Sequence, residues 1–215
     1  MDHFIVDNLK QIKNEVLLKK KDCKIIAVSK TFQIEKIRPL LEFGHLHFGE
    51  NKVQEANDKW SNIKNEFKDV KLHMIGKLQT NKVKNAVAIF DYIHSVDTFK
   101  LAKKISSEQN KINKRIKLFI QLNIDNEKQK SGILVNELED FYQSLIKELN
   151  LDIVGLMCIP DVQKKSSEAF ASMKNLADKL GLKEISMGMS SDYLDAIDYG
   201  STFVRIGTKI FGKRN

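Results

Sequence analysis

The chain has 215 residues, a length that suits one domain of generous size or two small ones, and its apolar content of 42% is sufficient for a core. The formal net charge of +8 raises the question of nucleic acid, but lysines alternate with acidic residues along nearly every predicted helix, and we expect attraction to small phosphorylated anions instead. No apolar run approaches the length of a membrane span, and the charged, periodic N-terminus is unlike a signal peptide.

Apolar runs alternate with helical patterns along the whole chain. Residues 1–21 place their apolar side chains on one face, which predicts an amphipathic helix. Eight short apolar segments then predict strands at 24–29, 45–49, 72–76, 92–96, 116–124, 153–159, 184–189 and 203–206. Helical patterns follow these strands at 34–41, 53–67, 82–90, 136–149, 167–180 and 192–199, with a last turn at 210–211. A further helix follows the fourth strand, with Asp97 or Thr98 as its N-cap.

Eight strands, each followed by a helix, predict an α/β fold of the (β/α)₈ TIM-barrel type with one extra helix at the N-terminus. Strict alternation of apolar and polar residues is mostly absent, as expected for parallel strands buried on both faces. The main alternative is a doubly wound sheet with a few strands misassigned. No linker, low-complexity segment or strong internal repeat divides the chain, so we predict a single domain over residues 1–215.

Lys30 stands at the end of the first predicted strand, directly after the apolar run 25–28. In barrels and doubly wound sheets, the carboxyl ends of the strands are where chemistry takes place. A lysine that emerges from apolar surroundings loses solvation, and this lowers its pKa and favours the neutral amine that attacks an aldehyde. The alternative is an ordinary surface lysine at a strand end.

Ser190 follows the seventh predicted strand, and Gly207 and Thr208 follow the eighth. Barrels commonly bind phosphate at these two strand ends, with hydroxyls and a backbone N–H that glycine leaves accessible. A lysine opposite such a corner predicts pyridoxal 5′-phosphate (PLP), which carries an aldehyde and a phosphate. A class I aldolase needs similar parts but also carboxylate proton shuttles, for which Glu50 is the main candidate.

Two further pairs of residues have a functional and a structural interpretation. His45 and His47 share one strand face by spacing, so a metal pair is conceivable, but no third ligand is evident and core histidines are the simpler interpretation. Cys23 and Cys158 lie far apart in apolar contexts, which indicates buried free thiols in a reducing cytoplasm. No nucleotide-binding glycine fingerprint or phosphate loop is present.

Motifs spread nearly end to end resemble those of the YggS/PROSC-type pyridoxal phosphate homeostasis proteins. They are Ala-Val-Ser-Lys-Thr at 27–31, Phe-Gly-Glu-Asn at 48–51, Val-Gln-Glu at 53–55, His-Met-Ile-Gly at 73–76, Lys-Ser-Gly at 130–132, Gly-Leu-Met at 155–157, Ser-Met-Gly-Met-Ser-Ser-Asp at 186–192 and Val-Arg-Ile-Gly-Thr at 204–208. The resemblance implies a barrel like the N-terminal domain of alanine racemase.

The resemblance also implies roles for individual residues. Lys30 would hold PLP as a covalent aldimine, and Arg205 would face the pyridine nitrogen. Ser190, Gly207 and Thr208 would contact the phosphate. Asn51 would lie near the ring, and His73 and Met189 would line the pocket. The family is regarded as cytosolic carriers or regulators of PLP without an established catalytic reaction, so apo forms of PLP-dependent enzymes are the expected partners.

Physical chemistry supports binding over turnover. An arginine does not give up its proton, so a ring nitrogen that it contacts stays unprotonated and the cofactor becomes a poor electron sink. A racemase also needs a second acid or base, which comes from a further domain in relatives of this fold, whereas this chain ends at Asn215. We therefore predict a monomeric, cytoplasmic PLP-binding protein. A weak amino-acid racemase or lyase is the alternative, and a basic nucleic-acid-binding module rests on net charge alone.

Overall fold

The computed structural model describes residues 3–127, 129–161 and 166–213. Within these ranges eight parallel strands close into a barrel in sequence order, since the first strand pairs with both the second and the eighth. This confirms the predicted (β/α)₈ barrel over the doubly wound sheet. The strands are β1 (Lys24–Val28), β2 (His47–Glu50), β3 (Lys71–Met74), β4 (Tyr92–Val96), β5 (Lys117–Leu122), β6 (Ile153–Cys158), β7 (Glu184–Met189) and β8 (Phe203–Ile206).

Helices follow the strands, as the alternation of patterns predicts. They are α1 (His3–Lys19), α2 (Ile34–Glu42), α3 (Val53–Trp60), α4 (Ile63–Glu66), α5 (Val83–Ile89), α6 (Phe99–Lys111), α7 (Leu138–Leu149), α8 (Ser166–Lys179), α9 (Tyr193–Asp198) and α10 (Thr208–Phe211), with 3₁₀ turns at Thr80–Lys82 and Val135–Glu137. The N-cap of α6 is Thr98, whose side chain accepts a hydrogen bond from the Leu101 N–H at 3.3 Å.

The extra helix α1 packs outside the barrel against α9 and α10. Its apolar residues Ile5, Leu9 and Ile12 recur every three or four positions and are buried, because this spacing places them on one face of a helix. The Asn8 side-chain amide donates a hydrogen bond to the Ile210 carbonyl at 3.1 Å. This helix therefore ties the N-terminal segment to the element that follows β8.

The hydrophobic core has two parts. The larger cluster fills the space between the strands and the surrounding helices. The smaller cluster consists of inward-facing strand residues and fills the interior of the barrel, as is usual for barrels of eight strands. Its fully or nearly buried members are Ile26, Tyr92, Phe119, Met157 and Phe203.

Several predicted boundaries differ from the observed ones by one or two residues, and two of the differences have a structural cause. The helix predicted at 53–67 is split into α3 and α4 after Trp60, which is fully buried; Ser61 then turns its hydroxyl back to the Asn57 carbonyl at 2.6 Å. The strand predicted from His45 begins two residues later. Gly44 has a φ of +80° and the His45 N–H bonds the Leu40 carbonyl at 2.9 Å, so residues 44 and 45 close the end of α2.

Among the described residues, none of the helices combines the length and the apolar composition that crossing a membrane requires.

Candidate functional site

A cavity of about 450 Å³ lies at the upper end of the barrel, which we define as the end formed by the carboxyl termini of the strands. Residues at or just after the carboxyl ends of β1, β2, β3, β6, β7 and β8 line it, because parallel strands bring all these ends to one rim. Seven of the eight residues predicted from the sequence line this cavity: Lys30, Asn51, Met189, Ser190, Arg205, Gly207 and Thr208.

Lys30 is half-buried and lies in the turn that follows β1. The next residue, Thr31, has a φ of +70°, a left-handed conformation that is strained for a β-branched side chain. Its N–H donates to the Glu55 carboxylate, and the Ser29 N–H donates to the Gly49 carbonyl at 3.0 Å. The backbone on both sides of Lys30 is thus held in place, and the lysine projects from a fixed turn.

Glu50 is fully buried and joins the ends of β1 and β2 to helix α3. Its Oε1 accepts hydrogen bonds from Ser29 Oγ at 2.7 Å, Lys59 Nζ at 2.9 Å and Trp60 Nε1 at 3.0 Å. Oε2 is buried without a hydrogen-bond partner among the described residues, and Glu50 does not line the cavity. This geometry gives Glu50 a structural role and gives the aldolase alternative no proton shuttle.

Arg205, on β8, lines the cavity and is only 4% exposed. Its guanidinium donates to the Ser186 carbonyl and to Ser186 Oγ, each at 2.7 Å, and to the Cys158 carbonyl at 2.8 Å. These three bonds leave capacity among the five N–H donors of the group. Burial lowers the pKa of Arg205 from its ordinary value.

Ser190, Gly207 and Thr208 form a polar corner of the cavity. Ser190 Oγ accepts a hydrogen bond from the Gly207 N–H at 3.3 Å and lies 3.5 Å from the backbone nitrogen of Lys209. This hydroxyl therefore connects the segments that follow β7 and β8. Gly188 fixes the approach: its φ is +88°, and a Cβ there would lie 2.5 Å from Ala196 Cβ. The corner contains two hydroxyls and backbone N–H groups that bond Ser190 Oγ over long distances, and hydroxyls and N–H groups are the donors that bind an anion.

Asn51 lines the cavity wall with an unsatisfied polar atom. Its Oδ1 is buried and has no hydrogen-bond partner among the described residues. Gly76 packs against it so closely that a Cβ at position 76 would lie 2.5 Å from the Asn51 carbonyl oxygen. A buried acceptor without a partner is costly, so this oxygen is suited to a ligand that donates a hydrogen bond.

His73 is the exception among the predicted residues, because it is not among the residues that line the cavity. It is fully buried inside the barrel, where its ring stacks on Tyr92 at 4.3 Å. It lies between two other histidines, with His73 Nε2 at 2.9 Å from His47 Nδ1 and His73 Nδ1 at 2.9 Å from His94 Nε2. The sequence-based prediction placed His73 in the pocket lining, whereas the structure places it deeper in the barrel, below the cavity.

His94 and Ser186 were missed by the sequence analysis. His94 Nδ1 lies 3.0 Å from Ser186 Oγ, the same oxygen that accepts from Arg205. A signal was present in the sequence, since β2, β3 and β4 each carry one histidine. Burial lowers the pKa of His73 and of His94 well below the usual value and that of His47 to about 4, so all three rings are neutral near pH 7.

The paired-histidine metal site has no support in the geometry. His45 Nε2 lies 2.9 Å from the His47 carbonyl oxygen, and the described residues contain no group of three metal-ligating side chains. Cys23 and Cys158 are buried free thiols, as predicted, and burial raises the pKa of each to about 12.

Comparison with known proteins adds a family and a fold. The family described as alanine racemase, N-terminal domain, matches residues 4–215. The pyridoxal phosphate homeostasis protein of Pasteurella multocida strain Pm70 is 37% identical over 202 residues, which are 89% of this chain and 87% of that protein. The structure of PipY from Synechococcus elongatus PCC7942 with PLP bound is 32% identical with a TM-score of 0.88, covering 97% of this chain and 100% of that one. An alanine racemase of Clostridium difficile 630, 14% identical with a TM-score of 0.78 over 99% of this chain and 57% of that one, shares the fold.

Proposed function

Because this chain belongs to the alanine racemase N-terminal domain family, and within it to the pyridoxal phosphate homeostasis proteins, we propose that it binds PLP in the cavity at the upper end of the barrel and acts in PLP homeostasis. The observation that carries this proposal is that one cavity is lined by a lysine, a polar corner with hydroxyls and N–H groups, and a buried arginine. Its volume of about 450 Å³ lies in the range usual for small-molecule sites.

The residues of the cavity match the parts of the cofactor. When bound, PLP supplies an aldehyde that forms a Schiff base with an amine, and Lys30 is the amine that we assign to this bond. Ser190, Gly207 and Thr208 would bind the phosphate. Asn51 fits the ring hydroxyl, because its buried Oδ1 lacks a donor.

Arg205 and Met189 complete the assignment. Arg205 would meet the pyridine nitrogen with an N–H, since three of its hydrogen bonds are directed to Ser186 and Cys158 and further donors remain. Met189 lines the cavity between these groups and offers an adaptable apolar contact. The residues present thus fit PLP at its aldehyde, phosphate, ring hydroxyl and ring nitrogen.

The same geometry favours binding over turnover. An arginine at the ring nitrogen keeps that nitrogen unprotonated, and this weakens the ring as an electron sink. No carboxylate, histidine, tyrosine or cysteine is among the described residues that line the cavity; Lys30 and Lys209 are its two lysines. We therefore propose storage and release of PLP, with apo PLP-dependent enzymes as its recipients.

Borohydride trapping tests the proposed Schiff base. Purified protein with PLP is expected to absorb as a Schiff base, and borohydride followed by peptide mass spectrometry should label Lys30. Lys30→Ala should lose this label, whereas Lys209→Ala, which removes the other lysine of the cavity, should keep it. A protein that stays colourless in excess PLP contradicts the proposal.

A hydrogen-exchange experiment separates binding from turnover. Racemase or lyase chemistry requires loss of the α-hydrogen of an amino acid, so it predicts deuterium incorporation from D₂O that Lys30→Ala abolishes. We expect no enzyme-dependent incorporation across the common amino acids. Incorporation that depends on Lys30 would replace the homeostasis proposal with an enzymatic one.

A further inference from the structure

Three histidines inside the barrel are connected in a repeating way. His94 and His73 each use Nδ1 toward the upper end and Nε2 toward the lower end, and His47 uses Nδ1 toward His73. The contacts are His94 Nδ1 to Ser186 Oγ at 3.0 Å, His73 Nδ1 to His94 Nε2 at 2.9 Å and His47 Nδ1 to His73 Nε2 at 2.9 Å. We call His94, His73 and His47 the histidine wire. It joins Ser186, next to Arg205, to the half-buried His47 at the start of β2.

The direction of the hydrogen bonds follows from Arg205. A guanidinium has donors and no acceptor, so Ser186 Oγ must accept from it. Among the described residues, the other hydrogen-bond neighbour of Ser186 Oγ is His94 Nδ1, so the buried hydroxyl proton is satisfied when it points to an unprotonated His94 Nδ1. A neutral His94 therefore carries its proton on Nε2 and donates it to His73 Nδ1, and the same reasoning makes His73 donate to His47.

The rings have little freedom to depart from this arrangement. His94 stacks on Phe119 with ring centroids 4.2 Å apart, and His73 stacks on Tyr92 at 4.3 Å. Both histidines are fully buried, and Phe203 lies against them from the opposite side of the interior. At the lower end, His47 is half-buried and lines a second cavity, and its Nε2 is not among the buried polar atoms that lack a partner.

We propose that the histidine wire is a hydrogen-bond chain of fixed direction that positions Arg205 toward the cavity. Ser186 Oγ is a good acceptor for the guanidinium because its own proton is bound by His94. Without that acceptor the hydroxyl can rotate, and Arg205 loses one of its three anchoring bonds. His94, His73 and His47 are thus positioning residues, and their effect on PLP rests on the proposed function.

The wire is not a proton channel to the cavity. Arg205 keeps its proton and has no acceptor, so a proton that moves up the wire has no group to enter at the upper end. The two interpretations differ in tautomer: a fixed wire holds Nε2–H in all three rings, whereas a conducting wire alternates between Nε2–H and Nδ1–H.

Nitrogen-15 spectroscopy of histidine-labelled protein without PLP tests the direction. Long-range ¹H–¹⁵N spectra, assigned with single His→Phe variants, should show His47, His73 and His94 in the Nε2–H form and unchanged between about pH 6 and 8. An Nδ1–H form in any of the three rings overturns the fixed direction. This outcome does not depend on whether the protein binds PLP.

His94→Phe tests the positioning role, because it keeps the aromatic contact with Phe119 and removes both ring nitrogens. We expect PLP to bind about tenfold more weakly and the absorption band of bound PLP to shift, since one hydrogen bond to a charged group is lost. His45→Phe is the matched control: His45 is 5% exposed and lies outside the wire, so affinity and band should stay as in the parent protein.

Ser186→Ala covers the case in which His94→Phe does not fold. It removes only the hydroxyl and should weaken PLP binding by a similar factor while freeing the His94 tautomer. Parental affinity and an unshifted band in both variants would overturn the positioning role. A parent protein that does not bind PLP would instead refute the proposed function and leave the tautomer measurement to decide on the wire.

Discussion

The cavity and the histidine wire are neighbouring polar regions of one barrel, and they differ in how their polar atoms are satisfied. In the cavity, Asn51 Oδ1 has no partner among the described residues and Arg205 has donors to spare. In the wire, five of the six ring nitrogens are paired within hydrogen-bond distance, and the sixth belongs to the half-buried His47. An unsatisfied buried atom in the wall of a cavity is suited to a ligand, whereas polar atoms that are paired with one another inside the barrel indicate a structural role.

Acidification should have the largest effect, and it acts through the three histidines of the wire together with His45. Burial lowers the pKa of His45 to about 3 and of His47 to about 4, and it lowers the pKa of His73 and His94 well below 6.5. The unfolded chain therefore binds more protons than the folded one below pH 6.5. The stability from neutral histidines is complete above that pH and is lost as the pH falls toward 4.

Each of these histidines adds about 1.4 kcal/mol per pH unit to the loss of the unfolding free energy, so we expect acid unfolding between about pH 4 and 5.5. Urea unfolding at a series of pH values measures the slope. His94→Phe should reduce the slope by about one proton, whereas a surface variant such as Lys10→Ala should not. A stability that is constant from pH 7 to 4.5 would contradict neutral buried histidines.

Glu50→Gln should have the next largest effect. It tests whether Glu50, a buried polar residue, stabilises the fold without taking part in PLP binding. The substitution keeps the shape but removes the charge that Lys59 meets at 2.9 Å; Glu55 remains at 3.2 Å from the same nitrogen. We expect a loss of about 3 kcal/mol in the unfolding free energy, because the buried ammonium loses its nearest carboxylate.

PLP affinity of the folded Glu50→Gln protein should stay within about twofold of the parent, since Glu50 does not line the cavity. Denaturant unfolding and PLP titration of the same preparation give both values. A stable variant that no longer binds PLP would show that Glu50 takes part in PLP binding.

The part of the site that sequence could predict is the part that topology determines. Lys30, Ser190 and Gly207 follow predicted strands, and a parallel barrel brings all strand ends to one rim. The contact between His94 and Ser186 was out of reach because it joins residues 92 positions apart across the interior. Which side chains meet there depends on the depth of each residue along its strand, and this depth follows from register and strand tilt, which periodicity does not fix.

Two local backbone conformations could not be predicted from the sequence either. The left-handed φ of Thr31 has no signal in the residue type, since β-branched side chains avoid this region and sequence alone argues against it. The same holds for the break between α3 and α4, which lies between the buried residues Trp60 and Ile63. Sequence patterns give the elements, and packing then imposes exceptions to their local preferences.

Thr31→Gly should have the smallest effect on stability. It tests whether the strained backbone next to Lys30, on the cavity side of the comparison, contributes to PLP binding. Glycine relieves the strain of a φ of +70° but also gives the unfolded chain more freedom, so we expect the unfolding free energy to change by less than about 1 kcal/mol. PLP should bind up to about fivefold more weakly, because ligand binding must then order the turn that carries Lys30.

Asn113→Gly is the matched control for this last prediction, since Asn113 also has a positive φ, of 48°, and is not among the residues that line the cavity. It should change stability by a similar amount and leave PLP affinity unchanged, as measured by absorbance titration. Equal affinities for Thr31→Gly and the parent protein would mean that the hydrogen bonds of Ser29 and the charge network of Glu55 already hold the turn, and that the strain at Thr31 follows from packing without preparing Lys30 for its ligand.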